Sequence, residues 1–231
     1  MQDPTFLKVY YEDVSRSLIS AITYLFGAGV PGDLAEFGTM NGRTASLLAH
    51  FLAQLEKHWG SNDTRHGIDR RSLHLFDSFK GLPAPEHEID ANSPHVRAQI
   101  WGKGKLRGVS PGRLAEMVQL HLPPEQVRIY EGFFADTLAQ IPDTTRFGLV
   151  HIDCDFYESA FQVLDALCGR QLLVPGAILL FDDWNCNRGD PAMGERRAWQ
   201  DILDRYRVSY SDEGSYAGFG HKFIIHGVEA R

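Results

Sequence analysis

Carboxylates stand at the ends of several short apolar runs in this sequence, where a sheet would carry them to one edge. Asp77 closes Leu73-His74-Leu75-Phe76, Asp153 closes Phe147-Gly148-Leu149-Val150-His151-Ile152, and Asp182-Asp183 closes Ala177-Ile178-Leu179-Leu180-Phe181. The last two runs are almost continuously apolar, the pattern of central parallel strands buried on both faces. If they are neighbours, their ends lie roughly 5 Å apart, the spacing of paired strands. Carboxylates that close repel one another unless they are protonated or bound to a cation, and oxygen-only ligation suits Mg²⁺, Ca²⁺ or Mn²⁺. Asp153, Asp182 and Asp183 are therefore the candidate metal ligands. Asp155 and Glu158 read instead as a D-x-x-E capping box at the start of the next helix.

Upstream, Asp33-Leu34-Ala35-Glu36-Phe37 reads as a first strand followed at once by a turn containing Gly38 and Gly42. In a doubly wound sheet a glycine turn at that place lets a ligand approach the backbone. A nicotinamide-binding turn would read G-x-G-x-x-G and a P-loop G-x-x-x-x-G-K-[ST]; neither is present, which points away from a pyrophosphate or triphosphate. Asp77, at the end of the second strand, can accept hydrogen bonds from both hydroxyls of a ribose, and S-adenosylmethionine presents such a ribose. After Val127-Arg128-Ile129-Tyr130, the segment Glu131-Gly132-Phe133-Phe134 offers rings to flank an adenine and an amide to meet its edge. Glu36, Gly38, Thr39, Asp77, Ser78, Gly132, Phe133 and Asp153 are the candidate cofactor contacts.

Two residues are candidates for a proton acceptor. Asp153 stands between the cofactor contacts and the acids. His221 begins the last strand and would reach the site if a loop from Ser211 to Gly220 carried it there. His151 lies inside a buried strand and reads as a core histidine hydrogen-bonded locally.

These residues need elements to position them. Val14, Leu18, Ile22, Leu25 and Phe26 recur at helical spacing, so residues 13–28 predict an amphipathic helix ended by Gly27 and Gly29, within an N-terminal helical segment of residues 1–30. A second helix is expected from Thr44 to Lys57, and one from Ser110-Pro111 to about His121, with Ser110 as its cap. Phe161, Leu164, Leu167 and Cys168 line one face of a helix between the fourth and fifth strands. A last helix from Glu195 to Tyr206 precedes strand candidates at 207–210 and 221–225. The stretch 79–109 is rich in Pro, Gly and His with weak periodicity, the character of a lid or insert. The expected fold is α/β: one doubly wound, Rossmann-like sheet, mostly parallel, with a C-terminal antiparallel hairpin strand.

The chain has 231 residues, a length for one such domain. No apolar run approaches the roughly 20 residues that span a bilayer, and the acidic N-terminus has no secretory core, so a cytoplasmic protein with no membrane partner is expected. Lys and Arg total 23 against 30 Asp and Glu, which disfavours a nucleic-acid partner. The three cysteines, Cys154, Cys168 and Cys186, lack metal-ligand spacing and fit reduced, packed thiols. Assembly as a homo-oligomer is compatible with these features.

At its motifs the sequence resembles the macrocin O-methyltransferase (TylF/MycF) family of class I S-adenosylmethionine-dependent methyltransferases. The likeness runs from Asp33 to Trp184 and rests on Glu36-Phe37-Gly38, on Phe76-Asp77-Ser78-Phe79-Lys80-Gly81-Leu82-Pro83, on residues 132–138, on Asp153-Cys154-Asp155-Phe156-Tyr157-Glu158-Ser159 and on Phe181-Asp182-Asp183-Trp184. Cys154 stands where the family usually has glycine, and Met40-Asn41 where it commonly has tryptophan or arginine. The resemblance implies magnesium at Asp153, Asp182 and Asp183, a ribose contact at Asp77 and methionine-side contacts at Glu36 and Gly38. It also implies a small-molecule hydroxyl acceptor, a sugar or glycosylated natural product. A catechol-like or other phenolic acceptor would chelate a metal equally well, and a non-catalytic S-adenosylmethionine-binding module is the alternative of another class.

Overall fold

The structure, a computed structural model, describes residues 4–231. Its elements are α1 (Pro4–Ala28), β1 (Asp33–Phe37), α2 (Arg43–Arg65), β2 (Leu73–Asp77), α3 (Glu88–Ala91), α4 (Pro94–Arg97), α5 (Pro111–Val118), β3 (Val127–Glu131), α6 (Phe134–Thr137), β4 (Phe147–Ile152), α7 (Tyr157–Gly169), β5 (Leu173–Phe181), α8 (Gly194–Arg205), β6 (Tyr206–Tyr216) and β7 (Gly220–Ala230). Seven strands form one sheet in the order β3-β2-β1-β4-β5-β7-β6, parallel up to β5 and antiparallel through β7 and β6. This is the α/β sheet expected from the alternating elements, including its antiparallel C-terminal strands.

Every residue of β4 is buried, as its unbroken apolar run requires. Val14, Leu18, Ile22, Leu25 and Phe26 of α1 are buried against the sheet, the face that their spacing marks. The helix starts earlier than residue 13, so that Tyr10 and Tyr11 are helical too; Met1, Gln2 and Asp3, which the N-terminal reading includes, lie outside the described residues. Helix α2 runs eight residues beyond Lys57, to Arg65. There a buried Asp63 pairs with Arg71, whose guanidinium also donates to the carbonyls of Val30 and Gly32 at 2.7 Å. That buried cation makes four hydrogen bonds and ties the N-terminal edge of the sheet together, away from the acids.

One expectation needs correction here. The segment 211–220 is not a loop but most of a long hairpin, because β6 and β7 each run to eleven residues. Within the stretch 79–109 the chain forms α3 and α4, and Trp101 is buried with its ring stacked on His95 at 4.2 Å. None of the described helices is long and apolar enough to cross a membrane.

Candidate active site

The C-terminal ends of the parallel strands lie side by side, because the main-chain ladder continues one residue past each strand. Gly38 donates to Phe76, Gly132 to Asp77, Asp153 to Phe37 and Asp182 to Ile152, all at 2.9–3.0 Å. The turn after β1 sits directly on the end of β4. Gly38 has φ +95°, and a Cβ there would fall 1.9 Å from the carbonyl oxygen of Asp153. Only glycine can occupy that position without separating the two strand ends.

Above this edge lies a cavity of about 500 Å³. Of the candidate cofactor contacts, Gly38, Thr39, Asp77, Ser78, Gly132, Phe133 and Asp153 line it. Asp77 is its organising acid: Oδ2 accepts from the amides of Thr39 and Met40 at 2.8 and 2.9 Å and from Thr39 Oγ1 at 3.2 Å. Its Oδ1 accepts from Phe79 N at 2.6 Å. Ser78 Oγ donates to the carbonyl of Gly81, which also lines the cavity, at 2.7 Å.

Glu36 is a different case. It is fully buried and does not line the cavity; its Oε1 accepts from His151 Nδ1 at 3.1 Å. The other ring nitrogen of His151 lies 3.7 Å from Asp182 Oδ1. Burial alone would lower the pKa of this imidazole, but the carboxylates of Asp182 and Glu36 outweigh it and raise it to about 10. His151 is thus a core histidine bonded to a near neighbour, Glu36 across the β1–β4 pairing, with Asp182 at the end of β5 beyond its other nitrogen. Asp182, the cavity-facing acid of the pair after β5, also accepts from Tyr10 of α1 at 3.3 Å.

The acids converge as the strand ends dictate, with one member the sequence reading had excluded. Oxygens of Asp153, Asp155 and Asp183 lie within 4.8 Å of one another. Asp155 is not a helix cap: Phe156 holds the cap position of α7, and the amides of Tyr157 and Glu158 are instead bonded by the buried Asp90 at 2.7 and 3.1 Å. With φ +58°, Asp155 turns back toward the cluster. Burial and mutual repulsion raise the proton affinity of Asp153 and Asp155, and the pKa of Asp183 rises to about 6 through burial and Asp182. Asp183 Oδ1 accepts from the Cys186 thiol, while its buried Oδ2 has no partner among the described residues.

His221 is not brought to the cavity. In the hairpin its Nε2 donates to Asp212 Oδ1 at 2.7 Å, its Nδ1 lies 3.2 Å from Ser215 Oγ, and its ring stacks on Trp184. Both ring nitrogens are already engaged, because the residues expected to form a loop are paired strand. The structure adds residues that the sequence reading did not single out: Tyr10 and Tyr11 of α1 and Arg43 of α2 line the cavity. The apolar stripe of α1 marked its core face but not these tyrosines at its N-terminal end.

The sequence profile described as Macrocin-O-methyltransferase (TylF) matches residues 15–207. No curated protein matches the chain. Among solved structures, the O-methyltransferase NovP superposes with a TM-score of 0.67 at 21% identity, over 94% of this chain and 79% of NovP. The calicheamicin methyltransferase CalS11 gives 0.67 at 23% identity, over 91% of this chain and 77% of CalS11. TomG of Streptomyces achromogenes, an O-methyltransferase of tomaymycin synthesis solved with S-adenosylmethionine, gives 0.50 at 13% identity, over 93% and 79%. At these identities the structures share the fold.

Proposed function

Because the chain belongs to the macrocin O-methyltransferase family, we propose that it transfers a methyl group from S-adenosylmethionine to a hydroxyl of a sugar-bearing small molecule, with a divalent cation, magnesium, at its acid cluster. The observation that carries this reading is the cavity in which the glycine turn, Asp77, Gly132-Phe133 and Asp153 meet at one sheet edge. Its volume, about 500 Å³, suits a nucleoside with a small acceptor beside it. One relative, CalS11, is described as a TDP-rhamnose 3′-O-methyltransferase, which favours a sugar hydroxyl as the acceptor class.

The donor set fits a hard cation. Asp153, Asp155 and Asp183 offer oxygens only, repel one another, and leave Asp183 Oδ2 buried without a partner among the described residues. Asp153 and Asp183 would hold the ion, with Asp155 and Asp182 flanking it. Such an ion lowers the pKa of a coordinated hydroxyl and orients its oxygen. S-adenosylmethionine supplies an electrophilic methyl on a sulfonium. The protein's own part is to bring the two reactants into line and to take up a proton. Asp153 lines the cavity at the junction of turn and acid cluster, where its carboxylate is the group placed to accept that proton, although ligation to the ion would weaken it as a base. Tyr10 and Tyr11 of α1 line the same cavity.

The test is direct. Purified protein incubated with S-adenosylmethionine, Mg²⁺ and a panel of nucleotide sugars, glycosides and phenols should give a one-methyl mass gain on a sugar hydroxyl and release one S-adenosylhomocysteine per methyl transferred. Product only from phenols would move the acceptor class, and cofactor binding without turnover on any acceptor would favour a binding module.

A further inference from the structure

Main-chain pairing between β4 and β5 ends at the bond from Asp182 N to Ile152 O. One residue past Asp182 and two past Ile152, the amides of Asp183 and Cys154 have no partner strand. Both point at one side chain: Cys154 N lies 3.4 Å from Glu195 Oε1, and Asp183 N lies 3.0 Å from Glu195 Oε2. Glu195 is 1% exposed, and among the described residues it takes part in no salt bridge. A carboxylate in that situation needs strong compensation. It has the two amides and the positive end of the twelve-residue α8, in whose first turn it stands.

The neighbouring residue extends the grip. Arg196 Nε donates to the carbonyl of Trp184 at 2.9 Å, so the first turn of α8 holds the segment after β5 at two successive residues. The two amides that Glu195 takes are not arbitrary. One follows Asp153 directly, and the other belongs to Asp183, so the carboxylate bridges the two chains where the sheet no longer joins them.

We infer that Glu195 is a positioning residue: it replaces the missing ladder bonds beyond the sheet edge and sets the separation of Asp153 and Asp183. Its own carboxylate does not line the cavity and touches no reactant. Removing it frees two buried amides and lets the strand ends part, which loosens the cation site while leaving Asp77 and the glycine turn in place. The inference rests on the reading of these acids as a cation site.

The experiment compares wild type, Glu195→Gln and Glu195→Ala as full-length proteins. It measures Mn²⁺ affinity by electron paramagnetic resonance, S-adenosylmethionine affinity by calorimetry, and kcat and KM at several Mn²⁺ concentrations. Loss of an outer-shell partner that orients ligands lowers metal affinity by about 10- to 100-fold, and this is the loss expected for Glu195→Ala. Its S-adenosylmethionine affinity should stay near that of wild type, and kcat should recover at high Mn²⁺. Glu195→Gln keeps the shape and one acceptor and should fall between the two; it also serves if the alanine variant does not fold. A purely structural anchor would lower thermal stability and leave Mn²⁺ affinity of the folded protein unchanged, and that result in Glu195→Gln would overturn the inference. Equal loss of Mn²⁺ and S-adenosylmethionine affinity would overturn it too. Failure of the wild type itself to bind Mn²⁺ would instead sink the cation reading of the acids.

Discussion

Thr39 gives both its amide and its hydroxyl to one carboxylate oxygen of Asp77, at 2.8 and 3.2 Å. Asp77 therefore builds the glycine turn as well as facing the cavity. With Met40 N on the same oxygen and only Phe79 N on the other, the free acceptor capacity lies on Oδ1. That oxygen is the one a ribose hydroxyl would meet. Asp77→Ala should weaken S-adenosylmethionine binding by about 1.5–3 kcal/mol, roughly 10- to 150-fold, as measured by calorimetry. Asp77→Asn should be nearly as damaging, since an amide NH₂ would face a backbone N–H whichever way it turned. Wild-type affinity in either variant would remove Asp77 from the cofactor site.

Chelation should separate the two halves of the site. With EDTA, turnover should stop while S-adenosylmethionine affinity changes little, because the acids sit at β4 and β5 and the cofactor contacts mostly at β1 to β3. Asp153→Asn should remain slow even at high Mg²⁺ if its carboxylate also takes the proton. The distances rank the flanking acids: Asp155→Asn should lower Mn²⁺ affinity more than Asp182→Asn, since Asp155 lies within the converging group and Asp182 is engaged by His151 and Tyr10. The reverse order would give Asp182 the nearer place, and full activity in EDTA would end the metal mechanism.

The sheet and its site-bearing edge were legible because each depends on local signals: apolar runs for β4 and β5, turn glycines after β1, and acids where the runs stop. The meeting of Asp153 with Asp183 follows from strand adjacency alone. What escaped needed tertiary contacts. Asp155 has the sequence of a cap, but the cap comes from Asp90, far away in the chain. Glu195 looks like an ordinary first-turn acid until the two amides it bonds are seen. His221 was misplaced because 211–220 carries Gly, Ser and Asp, and their turn chemistry was absorbed by register shifts within β6 rather than ending the strand.

Asp90 makes the stretch 79–109 testable as a lid, since its carboxylate is the staple between that stretch and α7. Burial raises its pKa, only partly offset by the amides of Glu158 and Tyr157. A carboxyl whose folded-state pKa is raised contributes most stability below its unfolded value of 3.8 and loses that contribution as pH climbs through the raised value. Asp90→Asn, which cannot ionise, loses a hydrogen bond worth about 1 kcal/mol at every pH. The melting-temperature gap between wild type and this variant should therefore narrow from pH 4 to pH 7. A gap that widens would mean that the amide bonds to the charged form outweigh its burial. In the same variant, limited proteolysis within 79–109 should speed up, and S-adenosylmethionine should suppress it in wild type if the segment closes over the cavity.

Arg43 lies with its guanidinium carbon 3.7 Å from the centre of the Tyr11 ring, at the start of α2 beside the glycine turn. Among the described residues it is the one cation lining a cavity whose other charged walls are Asp77, Glu86, Asp153, Asp155, Glu158 and Asp182. It forms no ion pair with any of them. The methionine end of the cofactor carries a carboxylate, and Glu36, the residue assigned to that end by resemblance, is buried below the floor with no positive charge to offer. Arg43 is thus expected to receive that carboxylate, with the dipole of α2 behind it. Arg43→Gln should weaken S-adenosylmethionine about 10- to 150-fold, the value of one charge-assisted bond of about 1.5–3 kcal/mol. Binding of 5′-methylthioadenosine, which has the nucleoside and sulfur but no amino-acid group, should be the same in variant and wild type. Arg43→Lys should recover part of the loss, since the charge remains but the planar stack on Tyr11 does not. If the variant weakens both ligands equally, Arg43 acts by supporting the turn rather than by meeting the carboxylate; if it weakens neither but raises KM for the acceptor, the anion it serves is carried by the acceptor instead.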